Sequence, residues 1–382
     1  MPSASDFPSR EIMAVVAPGL EAVVAAELAQ LGWPAPRTIP GGVLCTGGRI
    51  HLWHACLGSR TATDLRLRVG RLQAHSLEGL AQGLQRLPWS LFLRPGQDPR
   101  VLVSSHGSPL KRRDAIARKS QIAIRDALRG PRLPDLAPHR GSRVPGPVVH
   151  LHLEGEQVEA SLDPAGAPLW QRGYRARGGA APLRENLAAA VLRALEWGSP
   201  EALVDPFAGS GTFLIEGAAM ARGLPPGLGR HFAFELWPCH DARAWGRTVE
   251  DARRRAPPGP TGPILGADAD DHALDLARAN AAGAGVGTAI RWQAGRVDAL
   301  QPPPGAPGLV VANPPWGRRL GQDVGGVYVA FGQVLRARFT GWRIGVLCPD
   351  PALIRLMHLP LQRLLAFPHG GTRVTLWAGT VA

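Results

Sequence analysis

Between Leu203 and Glu216 the chain reads LVDPFAGSGTFLIE: an apolar run ending on an acid, a loop of small residues, and a second apolar run that enters a helix. No other stretch restricts the fold as much. A strand that passes a carboxylate to a glycine turn and then to a helix belongs in a helix-covered parallel sheet, because parallel strands need a crossover connection. From about Gly166 onward the same alternation recurs. It predicts strands at Ala202–Asp205, Ile264–Asp268, Ala289–Trp292, Leu309–Asn313 and Trp342–Cys348, with helices between them. A closing hairpin is predicted from Leu364–Phe367 and Arg373–Trp377, joined through His369, Gly370 and Gly371. Pro257–Pro263 and Pro302–Pro307 each precede a strand, so they belong at the N-terminal edge of the sheet, opposite the edge where α/β sites form.

The first part of the chain has a different grain. Residues 11–70 hold an apolar strand-like run at Ile12–Ala17, an amphipathic helix at Leu20–Leu31 and β-like pieces around Gly42–Cys45. Residues 71–160 continue with a helix near Leu77–Leu87, a strand at Val101–Ser104 and a basic helix from Pro109 to Leu128. Gly130–Pro147 is rich in breakers and reads as a loop or hinge. Three domains are expected, at residues 1–70, 71–160 and 161–382.

Charge narrows the function. The 43 basic residues are all arginine except Lys111 and Lys119, and against 30 acidic ones they leave +13 at pH 7. That excess is the footprint of a protein working on a polyanion, with nucleic acid the first candidate, although compositional drift gives the same balance. Cys45, Cys56, Cys239 and Cys348 form no C-x-x-C pair, which argues against zinc and a disulfide framework and fits a reducing cytoplasm. The first ten residues lack a basic start and apolar core, and Pro18, Glu21 and Glu27 interrupt the next apolar stretch. Secretion and membrane spanning are not expected.

The glycine loop limits the ligand. Gly209 and Gly211 let a ligand approach the backbone, and the helix start offers unpaired N–H groups. No lysine follows, so this is not a phosphate-gripping Walker loop, and Leu214 stands where a dinucleotide fingerprint has its third glycine. A strand-end acid suits a cofactor with a cationic amino-acid part or ribose hydroxyls, as in S-adenosylmethionine. A plain strand–helix turn would use the same glycines. Asp268 ends the Ile264–Asp268 strand and is placed to accept both ribose hydroxyls, while Asp270 and Asp271 read as caps of the next helix. Asp298 is a candidate for the adenine amine, and equally an ordinary surface aspartate.

The buried run Leu309–Ala312 then delivers Asn313, Pro314, Pro315 and Trp316 to the sheet's C-terminal edge. An exocyclic amine on a nucleobase is a poor nucleophile because its lone pair is delocalised into the ring. Asn313 Oδ1 and the Pro314 carbonyl can accept its two N–H bonds and turn the lone pair towards a methyl sulfonium, the prolines keeping that carbonyl rigid. Trp316 can stack on a base taken out of its helix. Asn-Pro also makes ordinary turns. The dispersed histidines compete with no such arrangement.

Taken together, DPFAGSGTFLIEGA and NPPWGRRL resemble the catalytic domain of bacterial THUMP-containing, S-adenosylmethionine-dependent RNA guanine-N2 methyltransferases, the large-subunit rRNA branch in particular. The likeness includes Leu169–Arg175, Ala181–Ala189, Pro226–Trp237, Arg278–Asn280 and the terminal hairpin. At the front it covers Val16–Leu28, Gly41–Val43, Ser59–Ala62 and Pro88-Trp89. The family commonly has Tyr or Phe at the position of Trp316, and Cys or Thr at that of Ala208.

The resemblance implies an α/β chain: a Rossmann-like class I methyltransferase sheet with a terminal antiparallel hairpin, preceded by an α+β ferredoxin-like region (1–70) and a THUMP region (71–160). It implies methyl transfer from S-adenosylmethionine to the N2 amine of a guanosine in structured RNA, with 23S rRNA preferred to tRNA, in the cytoplasm. Carried over, Asp205, Pro206, Phe207, Ala208, Gly209, Ser210, Gly211 and Thr212 hold the cofactor's methionine end, Asp268 its ribose and Asp298 its adenine. Pro182–Asn186, with Glu185 and Asn186, line it from the other side, and Asn313–Trp316 take the target base. Lys111, Arg112, Arg113, Arg118 and Lys119 are the candidate RNA contacts, since cations there can neutralise phosphates. Alternatives remain a tRNA guanine-N2 or an adenine-N6 DNA or RNA methyltransferase, and a non-catalytic RNA-binding ribosome-assembly factor.

Overall fold

Local alternation decides the strands of the first part: in the strand Asp64–Gln73 buried Leu65, Leu67 and Val69 alternate with half-buried Arg66 and Arg68, a strand with one face in a core. The computed structural model describes residues 7–128, 146–175, 183–254, 262–316 and 323–382. Within it the chain separates into two units, one of Met1–Val16, Ala25–Leu169 and Arg230–Glu250, the other of Ala17–Val24, Trp170–Gly229 and Asp251–Ala382.

The elements up to residue 162 are β1 (Arg10–Val15), α1 (Glu21–Gln30), β2 (Arg37–Ile39), β3 (Gly42–Gly47), α2 (Arg49–Gly58), β4 (Asp64–Gln73), α3 (Leu77–Gln85), β5 (Arg100–His106), α4 (Arg113–Ala127), β6 (Val148–Glu154) and β7 (Gln157–Leu162). Among the described residues their strands form one sheet in the order β2-β3-β1-β4-β7-β6-β5, antiparallel except for the β5–β6 pair. Strands from 1–70 and from 71–160 thus share a single ladder. Buried Glu27 on α1 ties this unit together, accepting from Ser59 Oγ at 2.9 Å and from the N–H groups of Arg60 and Thr61 at 3.0 Å each. Phe232, Phe234, Trp237 and Trp245 pack in the same unit, Phe234 and Trp245 each within 6.2 Å of Trp53, ring centre to ring centre.

The basic helix is shorter than its composition suggests. Ser108 Oγ accepts the Leu110 N–H at 3.2 Å, and α4 begins only at Arg113 with Asp114 in its first turn. Lys111 and Arg112 precede it. Cations at a helix N-terminus oppose the macrodipole, so they do not extend the helix backwards.

The remaining elements are α5 (Glu185–Ala194), β8 (Leu203–Asp205), α6 (Thr212–Ala221), α7 (Ala242–Arg254), β9 (Ile264–Asp268), α8 (Asp271–Gly283), β10 (Arg291–Ala294), β11 (Leu309–Ala312), α9 (Val324–Arg338), β12 (Arg343–Cys348), α10 (Pro351–Arg355), β13 (Gln362–His369) and β14 (Thr372–Thr380). The second sheet has the order β10-β9-β8-β11-β12-β14-β13. Its first five strands are parallel, and the last two return antiparallel. This is the sheet expected above, five parallel strands closed by a terminal antiparallel hairpin. His369 pairs with Thr372 inside the ladder, so the turn is Gly370–Gly371 alone, both at positive φ. β11 is buried throughout, as a parallel strand covered on both faces must be. Tyr328, Phe331, Phe339 and Trp342 fill the core beside it, each such ring contributing about 1.5–3 kcal/mol by leaving water.

Candidate active site

Sheet order locates the site. β8 lies between β9 and β11, so the chain leaves it in opposite directions on its two sides, and ligands bind α/β sheets at the C-terminal edge of such a reversal. The loops after β8 and β11 leave the sheet side by side there, with Leu203 opposite Leu309 and Val204 opposite Val310. The glycine loop and the Asn-Pro-Pro-Trp tip are thereby neighbours.

Asp205, the last residue of β8, is 1% exposed, and its Oδ1 accepts the Phe207 N–H at 3.0 Å. Burial pushes its pKa up to about 8, the Phe207 N–H opposing the shift and the Asp268 charge adding to it. The loop is tied at each turn: Ala208 N–H donates to Ala267 O at 2.9 Å, Gly209 N–H to Asp268 Oδ2 at 2.8 Å and Gly211 N–H to Ala208 O at 2.7 Å. Gly209 and Gly211 have φ of 51° and 82°, the left-handed region. A Cβ on Gly211 would lie 2.9 Å from the Trp292 ring and 3.1 Å from Ala277, whereas one on Gly209 would meet nothing closer than Phe207 O at 4.0 Å. The loop is packed behind Gly211 and open above Gly209, where a ligand can reach the backbone.

Asp268 ends β9, next to β8. Its Oδ2 holds Gly209 and its Oδ1 accepts the Asp270 N–H at 3.0 Å, which leaves each oxygen a further acceptor direction. Asp270 is the N-cap of α8 and accepts from His272 N–H. After β10 the Gly295 N–H donates to Asp268 O at 2.9 Å, and Asp298 follows in a 3₁₀ turn, its exposed carboxylate 3.3 Å from Arg296.

Glu185 and Asn186 are buried at the start of α5; Pro182 lies outside the described residues. Motif reading missed what joins them to the loop. Arg175 donates from Nε to Glu185 Oε1 at 2.6 Å, from Nη2 to Leu183 O at 2.7 Å and Thr212 Oγ1 at 3.0 Å, and from Nη1 to Ser210 Oγ at 3.5 Å. Asn280 of α8 adds a bond from Nδ2 to Ser210 O at 3.2 Å. An arginine in the LWQRGYR stretch was the available signal, but its partners lie in other segments. Glu185 Oε2 is buried with no hydrogen-bond partner among the described residues, and burial holds the Glu185 carboxyl above the ordinary carboxylate range against the pull of Arg175. Two buried carboxyls beside an open glycine turn favour a ligand that brings positive charge.

On the β11 side Pro314 is buried, while Asn313, Pro315 and Trp316 are half-buried. Trp316 Nε1 donates to Asn313 Oδ1 at 3.3 Å, and the ring stands edge-on to His369 at 6.5 Å between centres and 72°. Gly317–Leu320, the rest of the NPPWGRRL match, lie outside the described residues. The candidate RNA cations belong to the first unit: Lys111, Arg112, Arg113 and Arg118 are exposed, and Lys119 lies 3.4 Å from Glu78.

Residues 172–362 match the RMKL-like methyltransferase domain, half of the chain. The chain belongs to the RMKL-like methyltransferase family. Residues 11–63 match the RlmL ferredoxin-like domain. Among relatives, the ribosomal RNA large subunit methyltransferase K/L of Chromohalobacter salexigens is 35% identical over 92% of this chain and 50% of its own length. That of Methylococcus capsulatus is 37% identical over 89% and 47%. This RMKL-like chain thus spans about half the length of these K/L relatives. The Synechocystis sp. protein slr0064, named as a candidate RNA methyltransferase, is 31% identical over 98% of both chains. Of solved structures, the candidate methyltransferase SMU.472 complexed with SAH superposes at TM-score 0.87 with 28% identity, over 98% of both chains.

Proposed function

We propose that this chain transfers a methyl group from S-adenosylmethionine to the exocyclic N2 amine of a guanosine in structured RNA, 23S rRNA in the first instance. The observation that carries the reading is the adjacency of the β8 glycine loop and the β11 Asn313–Trp316 tip at the reversal of strand order. The names of the K/L relatives and the SAH held by SMU.472 support it.

The residues present fit the cofactor. Open space above Gly209 admits close approach, the spare directions on Asp268 suit ribose hydroxyls, and the partnerless Glu185 Oε2 with buried Asp205 suits an ammonium or sulfonium. When bound, the cofactor supplies a methyl group activated by positively charged sulfur. Pro206, Phe207, Ala208, Ser210, Gly211 and Thr212 shape the methionine end, Asn186 lines the opposite wall, and Asp298 is assigned the adenine. Asn313 Oδ1 and the Pro314 carbonyl accept the two amine N–H bonds and orient its lone pair, Pro315 stiffens the tip, and Trp316 stacks on the extruded base. RNA is gathered by Lys111, Arg112, Arg113, Arg118 and Lys119 in residues 71–160, read as a THUMP region behind the ferredoxin-like 1–70. Action on rRNA puts the protein in the cytoplasm; no helix among the described residues is long and apolar enough to cross a membrane.

Incubation with methyl-labelled cofactor and, separately, rRNA, tRNA and DNA, followed by digestion and nucleoside identification, tests the reading. N2-methylguanosine from rRNA supports it. Label confined to tRNA, to adenine or to DNA replaces the substrate, and no label in any nucleic acid removes the enzymatic reading.

A further inference from the structure

Arg184 directly precedes Glu185, which Arg175 ties to Ser210 and Thr212 of the glycine loop, the neighbour of the Asn313 tip. Arg184, the N-cap residue of α5, is exposed, and its guanidinium carbon lies 5.1 Å from the centre of the half-buried Trp170 ring. Among the described residues its side chain takes part in no salt bridge or hydrogen bond, the ring of Trp170 being its contact. A guanidinium lying over an indole face is held in place while its in-plane N–H groups stay free, so the charge is fixed without being neutralised. At the tip His369 stands edge-on to Trp316, which bonds Asn313, and burial, with the Arg184 charge adding to it, holds the His369 pKa below its ordinary value. A fixed, uncompensated arginine near a residue read as a base-stacking platform has the chemistry of a phosphodiester contact.

We propose that Arg184, braced on Trp170, binds a backbone phosphate flanking the nucleotide presented at Asn313–Trp316. Extruding a base strains the backbone on both sides of it, and a cation fixed there holds the strained backbone without reading the base. This inference rests on the RNA reading above and adds to it a residue outside the basic stretch at Lys111–Lys119.

The test is a set of salt titrations of binding to a fluorescently labelled RNA hairpin with guanosines in its loop. Parent, Arg184→Ala, Arg184→Lys and Trp170→Leu proteins are compared, with calorimetric S-adenosylhomocysteine binding and Tm as folding controls. Arg184→Ala should lower the slope of log K against log salt by about 0.7–0.9, the value for one phosphate contact, and raise the KM for RNA with kcat little changed. Arg184→Lys should keep the slope, and Trp170→Leu should weaken binding while keeping most of it. Uncharged methylphosphonates flanking the loop guanosine should weaken parent binding and leave Arg184→Ala binding unchanged. An unaltered slope in a folded Arg184→Ala protein, or methylphosphonate losses equal in parent and variant, overturns the phosphate assignment alone. A parent that binds S-adenosylhomocysteine but no RNA overturns the RNA reading and this inference with it.

Discussion

Trp316 donates its indole N–H to Asn313 Oδ1 at 3.3 Å, so the ring assigned to stacking also holds the oxygen assigned to the target amine. Trp316→Phe keeps a stacking face but frees that oxygen, and kcat should stay within about tenfold of the parent, whereas Trp316→Ala should weaken RNA binding by about 1–3 kcal/mol through lost stacking. Asn313→Ala should cost about 100-fold in kcat with S-adenosylhomocysteine affinity unchanged, because orientation rather than cofactor binding is lost. Single-turnover rates and calorimetry separate the three; parental turnover by Asn313→Ala would remove the catalytic assignment.

Asp205 has a pKa of about 8 in the fold against an ordinary 3.8. Between those values the folded chain binds a proton that the unfolded chain has lost. The associated stability is full below the unfolded pKa and falls as pH rises, until it is lost through the folded pKa. Thermal melts should therefore show Asp205→Asn gaining on the parent from mildly acidic to alkaline pH. A cationic ligand favours the ionised carboxylate, so S-adenosylmethionine binding near neutrality should release a proton in the parent and not in Asp205→Asn. Titrations in buffers of different ionisation enthalpy measure it.

Gly209 and Gly211 should fail differently. Gly211→Ala adds a clash with Trp292 to left-handed strain and should lower stability by about 1–3 kcal/mol. Gly209→Ala meets open space, so it should cost about 1–2 kcal/mol of backbone strain while reducing S-adenosylhomocysteine affinity disproportionately. Equal ratios of stability loss to affinity loss in the two variants would count against a ligand over Gly209.

Arg175→Ala should raise the cofactor KM and leave RNA affinity unchanged, because it unties Glu185 from Ser210 and Thr212 without touching the Asn313 tip. Arg175→Lys, a point charge in place of a planar fork, should restore only part of the affinity. A cofactor KM unchanged in a folded Arg175→Ala protein would show the clamp to be dispensable.

Reversing Lys111, Arg112 and Arg113 to glutamate places acids at the start of α4, where the macrodipole favours them. Tm should hold or rise slightly while RNA binding weakens and its salt dependence flattens. Affinity unchanged across salt would take this stretch out of the RNA account.

Much of the second sheet was legible because its strands announce themselves locally. Leu309–Ala312 is continuously apolar, Ile264–Asp268 ends on its acid, and Gly370-Gly371 sits between alternating runs. The strand limits moved by one to three residues, as at β11, which ends at Ala312 before the tip, and β14, which runs on to Thr380. In the first part β6 and β7 were not foreseen, and the pairing of β7 with β4 joins segments far apart in sequence.

The candidate site divides the same way. Chemistry carried by consecutive residues, the glycine loop and Asn313–Trp316, could be read from order and spacing, because their backbone conformations and side-chain types are local properties. The Arg175 clamp, the Trp292 packing behind Gly211, the Trp316–His369 contact and the pKa of Asp205 belong to pairs remote in sequence. Residue order determined which groups the chain offers. Strand order and burial decided which of them meet, because desolvation and hydrogen-bond partnership exist only once distant segments pack together.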